Sequence, residues 1–135
     1  MSKRATRFAA GAVLLCLAGV LLAQNTGITR NIVARGDVSV PGREAVVTSV
    51  EISAGGVAGW HTHPGDEASY VTDGELVVLV AGQPPHKYKA GEGFVIPAGT
   101  VHNARNEGTT PTHLVGVYHV EKGKPLASPA PAPAQ

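Results

Sequence analysis

The sequence predicts an all-β, single-domain protein built as a small barrel or jelly roll. Three observations lead there. Glycine and proline together fill 25 of the 112 residues from Gln24 to Gln135, and they fall between short apolar runs. No stretch after residue 24 keeps an apolar period near 3.6, so helices are not expected. Turn signals recur every ~8–12 residues, the spacing of sandwiches and barrels. Charged residues make up only 16% of the chain and aromatic residues 4%, which argues against a coiled coil or helical bundle.

The chain is not homogeneous. Residues 1–23 read as a secretory signal: Lys3, Arg4 and Arg7 precede Phe8 to Ala23, a run of 16 residues without charge. That run is short of the ~20 residues of a spanning helix and suits a signal core. Ala23 offers a small residue for cleavage before Gln24, although Leu21 fits the pattern poorly; an uncleaved anchor is the competing reading. Leu15 is too large for a lipoprotein signal at Cys16. A secreted or periplasmic protein is therefore expected. Without the segment, eight basic residues face ten acidic ones, a formal charge of −2, and neither Cys nor Met remains. Disulfides and thiolate chemistry are excluded. Nothing suggests a basic nucleic-acid binder, and no membrane association is expected after cleavage.

The elements follow in order. Residues 24–39 are a lead-in, in which 24–34 could add an edge strand. Residues 40–121 hold the barrel. Ala45 to Ile52 is β-branched and partly alternating. Ala68 to Thr72 and Glu75 to Val80 flank Asp73-Gly74, the signal of a type I′ hairpin. His86 to Lys89, Phe94 to Ile96 and Val101 to Arg105 are short strands bounded by Gly and Pro, and Thr112 to Val120 is the last long one. Residues 122–135, KGKPLASPAPAPAQ, read as a disordered or polyproline tail.

The chemistry lies in the histidines. His61 and His63 are two apart, which on a strand puts both on one face, about 6–7 Å apart. Glu67 can re-enter after a turn through Pro64-Gly65, and His102 follows the turn Pro97-Ala98-Gly99. Imidazole and carboxylate donors suit one divalent transition ion, such as Fe, Mn, Ni, Co, Cu or Zn. An isolated H-x-H is more often a pair of exposed strand histidines; the glycines and prolines at fixed offsets weigh against that here. His113 and His119 share a face about 20 Å apart and cannot meet on one ion; with His86 they read as surface or rim residues. Trp60 should point away from His61, into outer packing. By parity with Glu67, Ser69 and Val71 are candidates to line a cavity, with Phe94, Ile96, Ala104 and Tyr118 beside them.

These residues fall into two spaced motifs. Gly55, five residues, His61-x-His63, three residues, Glu67, six residues and Gly74 form the first. Gly91, five residues, Pro97-x-Gly99, two residues, His102, three residues and Asn106 form the second. The pair resembles the cupins. The resemblance implies a double-stranded β-helix (jelly-roll) barrel with one metal held by His61, His63, Glu67 and His102. On a six-coordinate ion this set leaves two positions for water, O₂ or substrate. Similar single-domain cupins include quercetinase-like dioxygenases, decarboxylases, isomerases and cyclases. A metal-dependent, dioxygenase-like enzyme acting on a small molecule is thus expected, with Glu67 as a conceivable base. A non-catalytic small-molecule or metal-chelate binder and a metal-stabilised oligomeric barrel are the alternatives. A homodimer is compatible with the family's edge strands. Asn106 and Gly55 read as structural.

Overall fold

The structure, a computed structural model, describes residues 26–134. The signal segment expected at 1–23, with Cys16, lies outside the described residues. The described chain forms ten strands and no helix: β1 Thr26–Asp37, β2 Arg43–Val57, β3 His61–Thr62, β4 Gly65–Asp73, β5 Glu75–Val80, β6 His86–Lys89, β7 Gly93–Ile96, β8 His102–Arg105, β9 Thr112–Glu121 and β10 Ser128–Pro129.

All pairings are antiparallel and form two facing layers. One runs β1-β2-β9-β4-β7, the other β6-β5-β8-β3-β10, and a single pair, Val57 with Arg105, links them. This nearly closed barrel is the all-β architecture the sequence predicts. Period-2 patterning builds it. In β2, Val46, Thr48, Val50 and Ile52 are buried while Ser49 and Glu51 are exposed. In β9, Thr112, Leu114, Gly116, Tyr118 and Val120 all turn inward. The interior holds one cluster of Val50, Ile52, Val71, Leu76, Val78, Ile96 and Leu114 and a smaller one of Val46, Tyr118 and Val120.

Two expectations need correction and one is extended. Asp73-Gly74 does not make a hairpin: β4 pairs with β7 and β9, whereas β5 pairs with β6 and β8. A type I′ turn needs positive φ at both central residues. Only Gly74 has it, at 78°, and the chain uses it to cross from one layer to the other. The edge strand expected within the lead-in is present over its described residues and runs on to Asp37: β1 pairs with β2 from Asp37 opposite Glu44 to Thr26 opposite Val57. The tail 122–135 is ordered over much of its described length. Ser128 and Pro129 pair with Thr62 and His61, Ala130 N–H donates to Trp60 O at 2.9 Å, and Leu126 packs on the smaller cluster. Its few apolar groups and free backbone donors find a surface no local pattern reveals.

Asn106 acts as a structural clamp. Its buried amide donates to Ile52 O and Thr110 O, at 2.9 and 2.7 Å, and its Oδ1 accepts from Gly108 N–H at 2.8 Å. Its backbone exchanges bonds with Gly55 and Gly56, holding the end of β2 against β8.

Candidate metal centre

The pairing of β3 with β8 sets His61 directly opposite His102, with ring centroids 4.2 Å apart. His63 lies just beyond β3, its ring 4.8 Å from that of His61 and 5.1 Å from that of His102. The chain then turns through Pro64 into β4 in the other layer, where Glu67 faces inward opposite Tyr118 of β9. One ligand atom from each histidine lies within 4.8 Å of the others. Glu67 Oε2 is 2.9 Å from His63 Nε2 and 3.3 Å from His102 Nε2. The structure thus brings together His61, His63, Glu67 and His102.

The tautomers follow from the outer partners. Each Nδ1 faces a backbone carbonyl, which can only accept: His61 to Gly59 O at 2.8 Å, His63 to Leu126 O at 2.6 Å, His102 to Thr100 O at 2.9 Å. Each Nδ1 therefore carries the proton. In a neutral ring, Nε2 then presents a lone pair to the carboxylate. His63 Nε2 is buried, 2.9 Å from Glu67 Oε2, and makes no hydrogen bond: with the ring proton on Nδ1, neither atom has a proton to donate. Three nitrogen lone pairs and an anionic oxygen, all at 3–9% exposure, face one another with no donor between them unless a ring protonates. A cation among them relieves that repulsion, so the residues fit a single divalent ion.

Electrostatics point the same way. Burial raises the Glu67 pKa, but the adjacent His102 and His63 rings, which can donate to the carboxylate once protonated, and the Ser69 hydroxyl outweigh it and hold the carboxyl well below the usual range. Ser69 Oγ–H donates to Glu67 Oε1 at 2.7 Å, leaving Oε2 to the histidines. Burial, reinforced by His102, lowers the His61 pKa to about 4. Burial also pushes Tyr118 up to about 12, so its hydroxyl stays protonated.

A pH dependence follows for the metal-free protein. His61 binds its proton in the unfolded chain below about 6.5 and in the folded one only below about 4. Between these values the unfolded state takes up more protons, so stability falls as pH drops, by up to about 3 kcal/mol. Glu67, also lowered, adds a loss of the same sign below its ordinary value of 4.5. Thermal melts of chelator-treated protein should show Tm falling from pH 6.5 to 4, and His61→Gln should flatten that stretch. An unchanged slope in the variant counts against it.

Beside the cluster lies a narrow cavity of about 30 Å³, bounded by His61, Glu67 and His102 at one end and by Val50, Leu76 and Leu114 among its apolar walls. Of the expected lining residues, Phe94, Ala104 and Tyr118 border it. Ser69, Val71 and Ile96 do not: Ser69 is spent on Glu67, while Val71 and Ile96 are packed in the larger core cluster. Parity placed them inside the barrel but could not separate cavity from core. Ile28 and Arg30 also line it, from the strand read as a lead-in. The signal available was the alternation Ile28, Arg30, Ile32.

The remaining histidines stand apart. His86 packs on Tyr88, His113 lies between Glu51 and Asp73, and His119 is exposed. Trp60 lies by the tail, among Leu79 and Ala132 to Ala134.

The Cupin domain profile matches residues 48–118. No curated protein sequence matches the chain. Among solved structures it is similar to an uncharacterized conserved protein with a double-stranded β-helix domain from Klebsiella pneumoniae, at 23% identity over 81% of this chain and 89% of that one, TM-score 0.65. It is also similar to KdgF from a Halomonas species, at 26% identity over 72% and 82%, TM-score 0.58. A third is an oxalate oxidase in complex with the substrate analogue glycolate, at 26% identity over 66% and 57%, TM-score 0.54.

Proposed function

The chain belongs to the cupin superfamily, and from that premise we propose that it is a metal-dependent enzyme acting on a small molecule by dioxygenase-like oxidoreductase chemistry, in the periplasm or outside the cell. One observation carries the reading: three Nδ1–H groups are committed to carbonyls, so three Nε2 lone pairs and Glu67 converge at one buried point beside a cavity. The likeness to an oxalate oxidase supports an oxidoreductase. The basic N-terminus followed by an apolar run supports export.

His61, His63, Glu67 and His102 would hold the ion, which supplies Lewis acidity and, if redox-active, electron transfer to O₂. The protein's own part is preorganisation. The carbonyls of Gly59, Leu126 and Thr100 fix the three rings, and Ser69 fixes the carboxylate. The apolar walls keep bulk water out. Glu67, held low, is suited to bind a cation rather than to take a proton from substrate, which favours the ligand role over that of base. The cavity sets the scale of the substrate. Drug-sized ligands occupy pockets of about 300–1,000 Å³. At about 30 Å³, this cavity favours a molecule far smaller than a flavonol.

Elemental analysis of natively expressed protein should find about one transition ion per chain, and little in His61→Ala/His63→Ala. Equal metal content in both removes the assignment. Oxygen uptake should then appear with a member of a panel of small oxo acids, diketones, catechols and flavonols. Spectral shifts on ligand addition without oxygen consumption would replace the enzyme by a binding protein.

A further inference from the structure

The cavity has one cationic wall. Arg30 stands directly opposite Val50 in the β1–β2 ladder, and Ile28 opposite Ile52. Directly opposed residues of an antiparallel pair project to the same face. Val50 and Ile52 are buried in the barrel, so Ile28 and Arg30 are turned inward, where both border the cavity. Arg30 Nε is buried and has no hydrogen-bond partner. None of the ion pairs among the described residues includes Arg30. The one carboxylate on the cavity, Glu67, is already taken by His63, His102 and Ser69.

Arg30 is half-buried on a largely apolar wall, with the Tyr118 hydroxyl beside it but no counter-ion, an arrangement that favours a charged partner. The planar guanidinium fork matches a carboxylate through two parallel N–H···O bonds. Size narrows the partner. A water needs about 10–15 Å³ of such space, so about 30 Å³ takes two or three waters or a ligand of a few heavy atoms. Arg30 and the histidines border that same small space, so one short molecule touches both.

We infer that Arg30 is the carboxylate anchor of the substrate site, and that the ligand is a small carboxylate of about two to four carbons. An oxygen next to the carboxylate, as in a 2-oxo or 2-hydroxy acid, faces the imidazoles. The second half of this inference rests on the metal reading; the anchoring by Arg30 does not.

Calorimetric titration with pyruvate and with its uncharged analogue pyruvamide separates the two. In Zn²⁺-loaded wild type, pyruvate should bind at least tenfold more tightly than pyruvamide. Arg30→Met should weaken pyruvate at least tenfold and leave pyruvamide unchanged, while Arg30→Lys restores part of the loss. Chelator-treated wild type should keep a weaker preference for pyruvate, which Arg30→Met abolishes. Equal binding of the two compounds by wild type overturns the inference, with no variant needed. So does undiminished pyruvate binding in Arg30→Met. Failure of the metal reading would appear separately, as pyruvate affinity indifferent to Zn²⁺ with the Arg30 effect intact.

Discussion

Gly65→Ala is expected to leave the protein without a stable native state. Gly65 opens β4 and pairs with Val120 of β9. A Cβ at this position would overlap the His119 carbonyl oxygen and come within 2.7 Å of the His119 carbonyl carbon and Val120 Cα. Those atoms are backbone, so no side chain can rotate to make room. Strand β9 is hydrogen-bonded on its other side to β2 over ten residue pairs and cannot retreat. Relief requires separating β4 from β9 where Glu67 enters the site. Such overpacking should cost more than about 4 kcal/mol, against a total of about 5–15 kcal/mol for a domain. Circular dichroism melts and urea titrations check it. A cooperative transition within a few degrees of wild type would refute the close approach.

Ending the chain at Gly123 is expected to weaken metal binding by about 10–100-fold, the usual effect of losing an outer partner of a ligand. Truncation removes the Leu126 carbonyl that accepts the His63 Nδ1–H, the β10 pairing beside His61, and the Leu126 side chain on Val46, Tyr118 and Val120. His63 is then free to rotate or change tautomer, and its Nε2 no longer points into the cluster by constraint. The lost packing should also lower Tm by several degrees. Leu126→Ala separates the two effects: it keeps the carbonyl and should lower Tm while leaving Zn²⁺ affinity near wild type. Competition titration with a chromophoric chelator measures the affinity. A truncated chain that binds Zn²⁺ like the full one would show the tail to be mere packing.

The strands were legible because their signal is local. Glu75–Val80 and His86–Lys89 fall where composition puts them, and the expected Thr112 to Val120 differs by one residue from Thr112–Glu121. Partner choice is not local. Asp73-Gly74 carries hairpin chemistry, yet the strands beside it belong to different layers, because each buries its apolar face against a remote partner. His61, His63, Glu67 and His102 were legible as a set because their spacing repeats a known pair of motifs. The outer partners were not, since all three are backbone carbonyls and no side-chain pattern encodes them. Arg30 was missed for a related reason: an arginine in an edge strand looks solvated until its opposite residue is known to be Val50.

The cluster straddles the two layers of the barrel. His61 and His102 belong to the layer of β3 and β8, Glu67 to that of β4, and the layers share one backbone pair. An ion bound there is a bolt between two leaves that are otherwise held by side-chain packing and by a few hydrogen bonds, chiefly where the end of β2 meets β8 and Asn106. It can be set only after the leaves have met, so its contribution is absent from early folding. Interactions missing from the folding transition state act on the unfolding rate. The loaded protein should therefore differ from the empty one less in how fast it folds than in how long it lasts, a property measured by lifetime rather than by equilibrium.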